Sequence, residues 1–302
     1  MSAAPYTAEH AWLAPAKLNL FLHVTGRRAD GYHELQTVFQ FLDFNDHLFF
    51  TPRGDGVIRR IEGPAHIPED QDLVLRAAHA LKTASGCDLG ADIRLQKKIP
   101  VGAGLGGGSS NAATTLVALS RLWNLGFTPD ELARIGLSLG ADVPVFVRGR
   151  AAWAEGVGER LRPITLPEPW FVVITPPVHV STAEIFSAPD LRRDSALITP
   201  DDFLAGRSRN DCEPVTCARY PQVREALEWL RGQARDAQQD ARVPRAHGCA
   251  GAAMSGTGAS VFLGFDSRAQ AEAVAKLTRP TWQVFVARGL NQSPLAGIMR
   301  AA

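Results

Sequence analysis

Polar and apolar positions alternate from Lys17 onward: Leu18, Leu20, Leu22 and Val24 fall on one side, Lys17, Asn19, Phe21 and His23 on the other. A period of two predicts a strand with one buried face, and it puts a lysine and an asparagine together on the opposite face. Asp30-Gly31 marks a turn, and residues 37–42 and 47–51 predict two further strands. Leu73, Val74, Ala77, Ala78 and Leu81 have helical spacing, with Asp70 or Asp72 near the cap. Residues 93–98 alternate again, as a half-exposed strand. Ala112, Ala113, Leu116, Val117, Leu119 and Trp123 then give a helix with one apolar face, for which Ser109 or Ser110 can serve as N-cap. Thr128-Pro129-Asp130-Glu131 opens another helix, expected to run out at Gly140. Asp142 lies just beyond, before a strand-like stretch at 143–147. In the second half, strands are expected at 170–175, 259–265 and 282–287, and helices at 222–231 and 267–277.

Between the strand at 93–98 and the helix stands Pro100-Val101-Gly102-Ala103-Gly104-Leu105-Gly106-Gly107-Gly108-Ser109-Ser110. Five glycines in seven residues let the backbone approach a ligand closely, and the helix that follows aims free N–H groups and a positive dipole end at one spot. That is a phosphate site. Gly102-x-Gly104-x-x-Gly107 matches a dinucleotide fingerprint, but the alternating strand before it lacks the unbroken apolar run such a site follows. The Walker A spacing is present as well, with Gly108 where its lysine belongs. The loop is therefore a nucleotide-phosphate loop of a third kind. The hydroxyls of Ser109 and Ser110 can touch phosphate or a magnesium ion. A second small-residue loop, Ser255-Gly256-Thr257-Gly258-Ala259-Ser260, can close over the same phosphates, and as an isolated feature it reads equally as a tight turn.

Composition narrows the classes. The chain has 302 residues, 45% of them hydrophobic, and a net charge of +1, which excludes a nucleic-acid binder working by bulk charge. No apolar run approaches the roughly 18 residues of a membrane span, and the first ten residues are polar, without a signal-peptide core. The four cysteines, Cys87, Cys212, Cys217 and Cys249, have no metal-ligand spacing and are read as reduced thiols of a cytoplasmic protein. Length suggests two domains, with the boundary in the proline-bearing stretch 163–169.

The glycine loop and the Ser255–Ser260 loop resemble the second and third motifs of the GHMP kinases. Ala14-Pro15-Ala16-Lys17-Leu18-Asn19-Leu20, the segment Gly26-Arg27-Arg28-x-Asp30-Gly31-Tyr32-His33-Glu34-Leu35, the run Leu139-Gly140-Ala141-Asp142-Val143-Pro144 and Asn210-Asp211-Cys212-Glu213 are similar to the branch of that family acting on a cytidine-diphosphate-linked polyol. The match runs from about residue 12 to about residue 297. It implies an α+β, two-domain GHMP kinase fold: an ATP-binding domain over 1–165 like the second domain of ribosomal protein S5, and a ferredoxin-like domain over 166–302, with the substrate in the cleft between them. It also implies ATP with Mg2+ as cofactors, no nucleic-acid or membrane partner, and a monomer or weak homodimer.

Carried over by the same resemblance, Lys17 and Asp142 are the catalytic pair, residues 100–110 the ATP loop, and Tyr32, His33 and Phe186 the cytosine site, with Asn19 and Thr182 nearby. Phosphoryl transfer needs mainly positioning and charge stabilisation. A carboxylate can orient the acceptor hydroxyl and take its proton, and a lysine can stabilise the transferring group. A pyrimidine can stack between Tyr32 and Phe186 while His33 reads its edge. Val157-Gly158-Glu159-Arg160 is a further segment able to reach a phosphate. The chain departs from the family where Asp-Asn-Leu is usual: it has Asp70-Gln71-Asp72-Leu73, which changes the donor pattern expected near adenine. The rival readings are a homoserine- or mevalonate-type kinase, and a nucleotide-binding regulator without transfer activity.

Overall fold

A computed structural model gives the architecture; it describes residues 9–65, 67–239 and 251–300. The spine is one long strand. β1 (Trp12–Arg27) and β2 (His33–Arg53) form an antiparallel pair over nearly their whole length. The other edge of β2 pairs in turn with β5 (Ala152–Gly156), β10 (Gln283–Leu290) and β4 (Gly90–Gln96). β3 (Ile58–Glu62) lies parallel to β4, and β6 (Arg160–Pro163) pairs with β5. β10 continues from β2 onto β7 (Trp170–Thr175), which leads to β9 (Val261–Phe265) and the short β8 (Ala253–Met254). The cut expected at residue 165 falls between β6 and β7, and the sheet runs across it through the β2–β10 pairing.

Helices α1 (Leu73–Ser85), α2 (Gly107–Leu122), α3 (Pro129–Leu137) and α4 (Val143–Arg148) cover the first half of the sheet. Asp72 caps α1 by accepting from the Val74 amide at 2.9 Å, and Thr128 with Glu131 closes a capping box on α3, as their spacing predicts. In the second half stand α5 (Thr182–Ser187), α6 (Pro200–Leu204), α7 (Cys212–Arg219), α8 (Pro221–Gln239), α9 (Arg268–Ala275) and α10 (Ala296–Arg300). A second core lies under α8 and α9. A third, built on Phe21, Trp153, Phe171, Phe203 and Phe262, joins the halves.

Several local expectations are corrected. Residues 37–42 and 47–51 belong to a single strand, because Asp46 in the expected gap is buried and its Oδ1 accepts the amides of Lys98 and Ile99 at 2.7 and 2.8 Å. β1 is buried on both faces, since Lys17, Asn19 and His23 turn toward other elements rather than solvent. α2 is buried on all sides from Ser110 to Ser120, so its expected single apolar face is a full core helix. α3 ends at Leu137, with Ser138 as its C-cap, short of Gly140. Residues 143–147 form α4, not a strand, with Pro144 in its first turn.

No helix among the described residues is long and apolar enough to cross a membrane. Cys87, Cys212 and Cys217 are free thiols; burial pushes the last two up to about 12 and about 11, so both stay protonated. Cys249 and residues 1–8 lie outside the described residues.

Candidate active site

Alternation along β1 brings Lys17 and Asn19 to the same side, under the glycine loop. The Lys17 ammonium has three donors and three acceptors around it: Asn19 Oδ1, the Gly104 carbonyl at 3.1 Å and Asp142 Oδ2 at 3.3 Å. It also sits 5.5 Å above the Phe39 ring. The Lys17 side chain is 4% exposed and that of Asp142 31%, so the cation is pinned from behind while the carboxylate reaches open space. Asp142 stands at the N-cap of α4 without capping it. Its Oδ1 has no hydrogen-bond partner among the described residues.

Gly106, not a serine, is the N-cap of α2, with φ of +70° and no side-chain cap on the helix. The left-handed conformation is open to glycine, and it aims the first amides of α2 outward, unspent. Ser109 lines the cavity in front of them, whereas Ser110 and Leu105 are buried behind the loop. The Ser110 hydroxyl has no hydrogen-bond partner.

The second small-residue loop docks directly on the first. Ser255 Oγ donates to the Gly104 carbonyl at 2.8 Å and accepts the Asn19 amide at 3.1 Å, and the Ser260 amide donates to the Ala103 carbonyl at 3.1 Å. Thr257 shares a 3.1 Å hydrogen bond with Thr182 of α5. Asn210 holds the loop from behind, donating to the Met254 and Gly256 carbonyls at 2.8 and 2.7 Å.

These parts share one cavity of about 930 Å³. One arm runs from the glycine loop past Ser109 toward Gln71, Asp72, Leu73 and Lys97. The other takes in Tyr32, His33, Thr182 and Phe186, and Lys17, Asn19 and Asp142 line the same cavity. Val157 and Gly158 also line it; Glu159 instead accepts the Val157 amide at 2.7 Å, and Arg160 faces Glu34 at 3.6 Å. Asp72 is committed to its cap and to Arg60, 3.1 Å away, so this departure from the family pattern is a structural pairing at the end of the first arm.

In the second arm His33 stacks on Phe186, with ring centroids 5.2 Å apart and planes 27° from parallel. Tyr32 lines the same cavity and is 64% exposed. A protein ring therefore already covers one face of Phe186, a refinement of the open aromatic pair expected from sequence. Burial, then the charges of Arg193 and Arg27, hold the His33 imidazole below its ordinary pKa, favouring the neutral ring.

Two participants escaped the sequence reading. Lys97 lines the nucleotide arm and is held by buried Asp46 and by Asn111. Burial lowers its pKa. The basic pair Lys97-Lys98 was its only signal. Arg193, which donates to His33 Nε2, had a signal of the same kind, the basic pair Arg192-Arg193.

A family model for the GHMP kinases N terminal domain matches residues 72–150. A protein of Alkalilimnicola ehrlichii named 4-diphosphocytidyl-2-C-methyl-D-erythritol kinase is 55% identical over 289 residues, 96% of this chain and 94% of its own. One of the same name from Pseudomonas paraeruginosa is 54% identical over 93% of this chain and 94% of its own. Among solved structures, a 4-(cytidine 5'-diphospho)-2C-methyl-D-erythritol kinase superposes with a TM-score of 0.77 at 33% identity, over 93% of this chain and 99% of that one. A homoserine kinase from Cytophaga hutchinsonii, at 16% identity and a TM-score of 0.66 over 97% and 98% of the two chains, shares the fold.

Proposed function

The chain belongs to the 4-diphosphocytidyl-2-C-methyl-D-erythritol kinases of the GHMP kinase family, and from that membership we propose how its own residues divide the work of moving the γ-phosphate of ATP to the 2-hydroxyl of 4-diphosphocytidyl-2-C-methyl-D-erythritol, a step of the non-mevalonate isoprenoid route. The observation that carries this reading is the common lining of one cavity. The Lys17–Asp142 pair opens onto the same cavity as a phosphate loop and an aromatic group, where a phosphoryl donor and an acceptor would meet. Residues 1–165 supply the nucleotide loop, and residues 166–302 close the substrate side with Thr182, Phe186 and the Ser255–Ser260 loop.

ATP phosphates rest on the α2 amides and residues 100–110. Asp142 Oδ1, unspent and facing the cavity, accepts the hydrogen bond of the substrate hydroxyl and orients its oxygen along the line of attack. As the bond from the hydroxyl oxygen to the γ-phosphorus forms and the bond from that phosphorus to the bridging oxygen breaks, releasing ADP, the hydroxyl proton passes to that carboxylate. Lys17 stabilises the charge gathered on the transferring group, and its fixed hydrogen bonds mean that it needs no rearrangement. Asn19 fixes Lys17 from the strand side. Thr182 and Thr257 border the polyol end of the substrate.

The residues fit Mg2+ delivered with the nucleotide. No cluster of three metal-ligating side chains occurs among the described residues, and Mg2+ usually takes only one or two protein oxygens besides phosphates and water. Ser109, which lines the cavity in front of the α2 amides, would supply one of them. The ion neutralises phosphate charge.

Two measurements check the reading. ADP release, followed in a coupled assay, is expected with the cytidylyl substrate and absent with homoserine or mevalonate; turnover of either of the latter would replace the substrate assignment. Phe186→Leu keeps apolar bulk and removes a flat face, and it is expected to weaken cytidylyl-substrate binding by about 1–2 kcal/mol with ATP affinity unaltered. Equal affinity in calorimetry would take the pyrimidine out of this arm.

A further inference from the structure

His33 has two ring nitrogens, and only one of them is engaged by the protein. Nε2 accepts the Nε–H of Arg193 at 3.1 Å. Nδ1 has no hydrogen-bond partner among the described residues, and the ring lines the cavity. Arg193 is half-buried and has no carboxylate partner among the described residues. Three more of its donors go to main-chain carbonyls: Nη1 to Leu191 at 3.0 Å, and Nη2 to Phe186 and Ala188 at 2.8 and 2.7 Å. One guanidinium thus fastens the His33 ring to the C-terminal end of α5, the helix that carries Phe186.

A guanidinium has five donors, no acceptor, and stays protonated at any working pH. The nitrogen facing it must offer a lone pair. Nε2 is therefore unprotonated, and the single proton of the neutral ring sits on Nδ1. Resting on the functional reading above, we infer that Arg193 is a specificity-determining positioning residue: by fixing His33 as the Nδ1–H tautomer stacked on Phe186, it makes the free edge of the imidazole a hydrogen-bond donor selective for cytosine. Cytosine offers unprotonated N3 and O2 as acceptors beside its exocyclic amine. Uracil carries a proton on N3, so a donor fixed opposite that position meets another donor. A site committed to one pattern leaves buried groups unpaired with the other, and that rejects the wrong ring far better than shape does. The lowered pKa of His33 agrees with a ring kept neutral between Arg193 and Arg27. No acidic group contributes to that shift.

The wild-type protein provides the first test, with no variant to fold. In a nitrogen-15 NMR spectrum of the unliganded enzyme labelled at histidine, with His33 identified through His33→Asn, Nε2 is expected to appear unprotonated and Nδ1 protonated. A protonated Nε2 overturns the proposal. The second test is Arg193→Met, which keeps the apolar stem and removes every donor. KM for the cytidylyl substrate is expected to rise on the order of tenfold while KM for ATP holds, so the loss falls on KM rather than kcat. The preference for cytidylyl over uridylyl substrate is expected to fall by a similar factor, and Arg193→Lys, which restores one donor, to recover part of it. An unchanged preference in Arg193→Met removes Arg193 from specificity. Calorimetry of wild type with CDP separates this from failure of the underlying reading. If wild type binds no CDP, the cytidylyl assignment falls and this inference with it; if it binds CDP and Arg193→Met matches it in affinity and preference, the role of Arg193 alone falls.

Discussion

Asp142→Asn is expected to lower kcat on the order of a hundredfold or more while the affinity for an ATP analogue stays within a few-fold of wild type. The asparagine keeps the size and shape of the side chain. Its amide oxygen can still accept from the Lys17 ammonium, which lies 3.3 Å from Asp142 Oδ2. What disappears is the unspent carboxylate oxygen that faces the acceptor hydroxyl, and with it both the base and the charge opposite Lys17. Nucleotide binding rests on amides and glycines of another segment, so it is spared. Single-turnover kinetics beside calorimetry separates the two quantities. Retention of more than about a tenth of wild-type kcat would show that the carboxylate is not the proton acceptor. A parallel fall in ATP affinity would show that it acts on the nucleotide instead.

The parts of this site that sequence made legible are those where chemistry is local. Five glycines before a helix define a phosphate loop without any tertiary information, and the capping box at Thr128 and the cap at Asp72 follow from side chains reaching their own helix. Legibility fails where distant contacts decide. Val143-Pro144-Val145-Phe146-Val147 has the β-branched composition of a strand, yet it is helical because it is wedged between α2 and α3, with all five residues buried. The two serines after the glycines offered the obvious cap, but the backbone turns three residues before the first of them, at Gly106. Asp46 looked like a break between strands because its buried partners, Lys97 and the amides of residues 98 and 99, lie some fifty positions away. The His33–Phe186–Arg193 group joins positions about 150 residues apart, and nothing in either segment announces the other.

The seam between the two small-residue loops carries the other large effect. Gly104 has φ of +75°, and a Cβ placed there would lie 2.3 Å from the Ser255 carbonyl oxygen and 2.9 Å from that of Gly258. Both obstacles are backbone, so no side-chain rotation relieves them. The Gly104 carbonyl is also the point where Ser255 Oγ and the Lys17 ammonium converge, at 2.8 and 3.1 Å. Gly104→Ala must therefore part the loops, and doing so releases Lys17 from one of its three acceptors. The left-handed conformation alone costs an alanine roughly 1–2 kcal/mol, and the clash adds to it. The variant is expected to lose at least tenfold in ATP affinity, an order-of-magnitude expectation from that strain, and to lose kcat as well because Lys17, the proposed catalytic lysine, is no longer fixed. Ser255→Ala is the matched comparison: it deletes the hydroxyl that bridges Gly104 and Asn19 but adds no atom to the seam, and about 1 kcal/mol is expected of it. Calorimetry with an ATP analogue, thermal unfolding and initial rates on both variants decide the matter. If Gly104→Ala behaves no worse than Ser255→Ala in all three, the loops are not held rigidly against each other, and Lys17 owes its position to β1, Asn19 and Asp142.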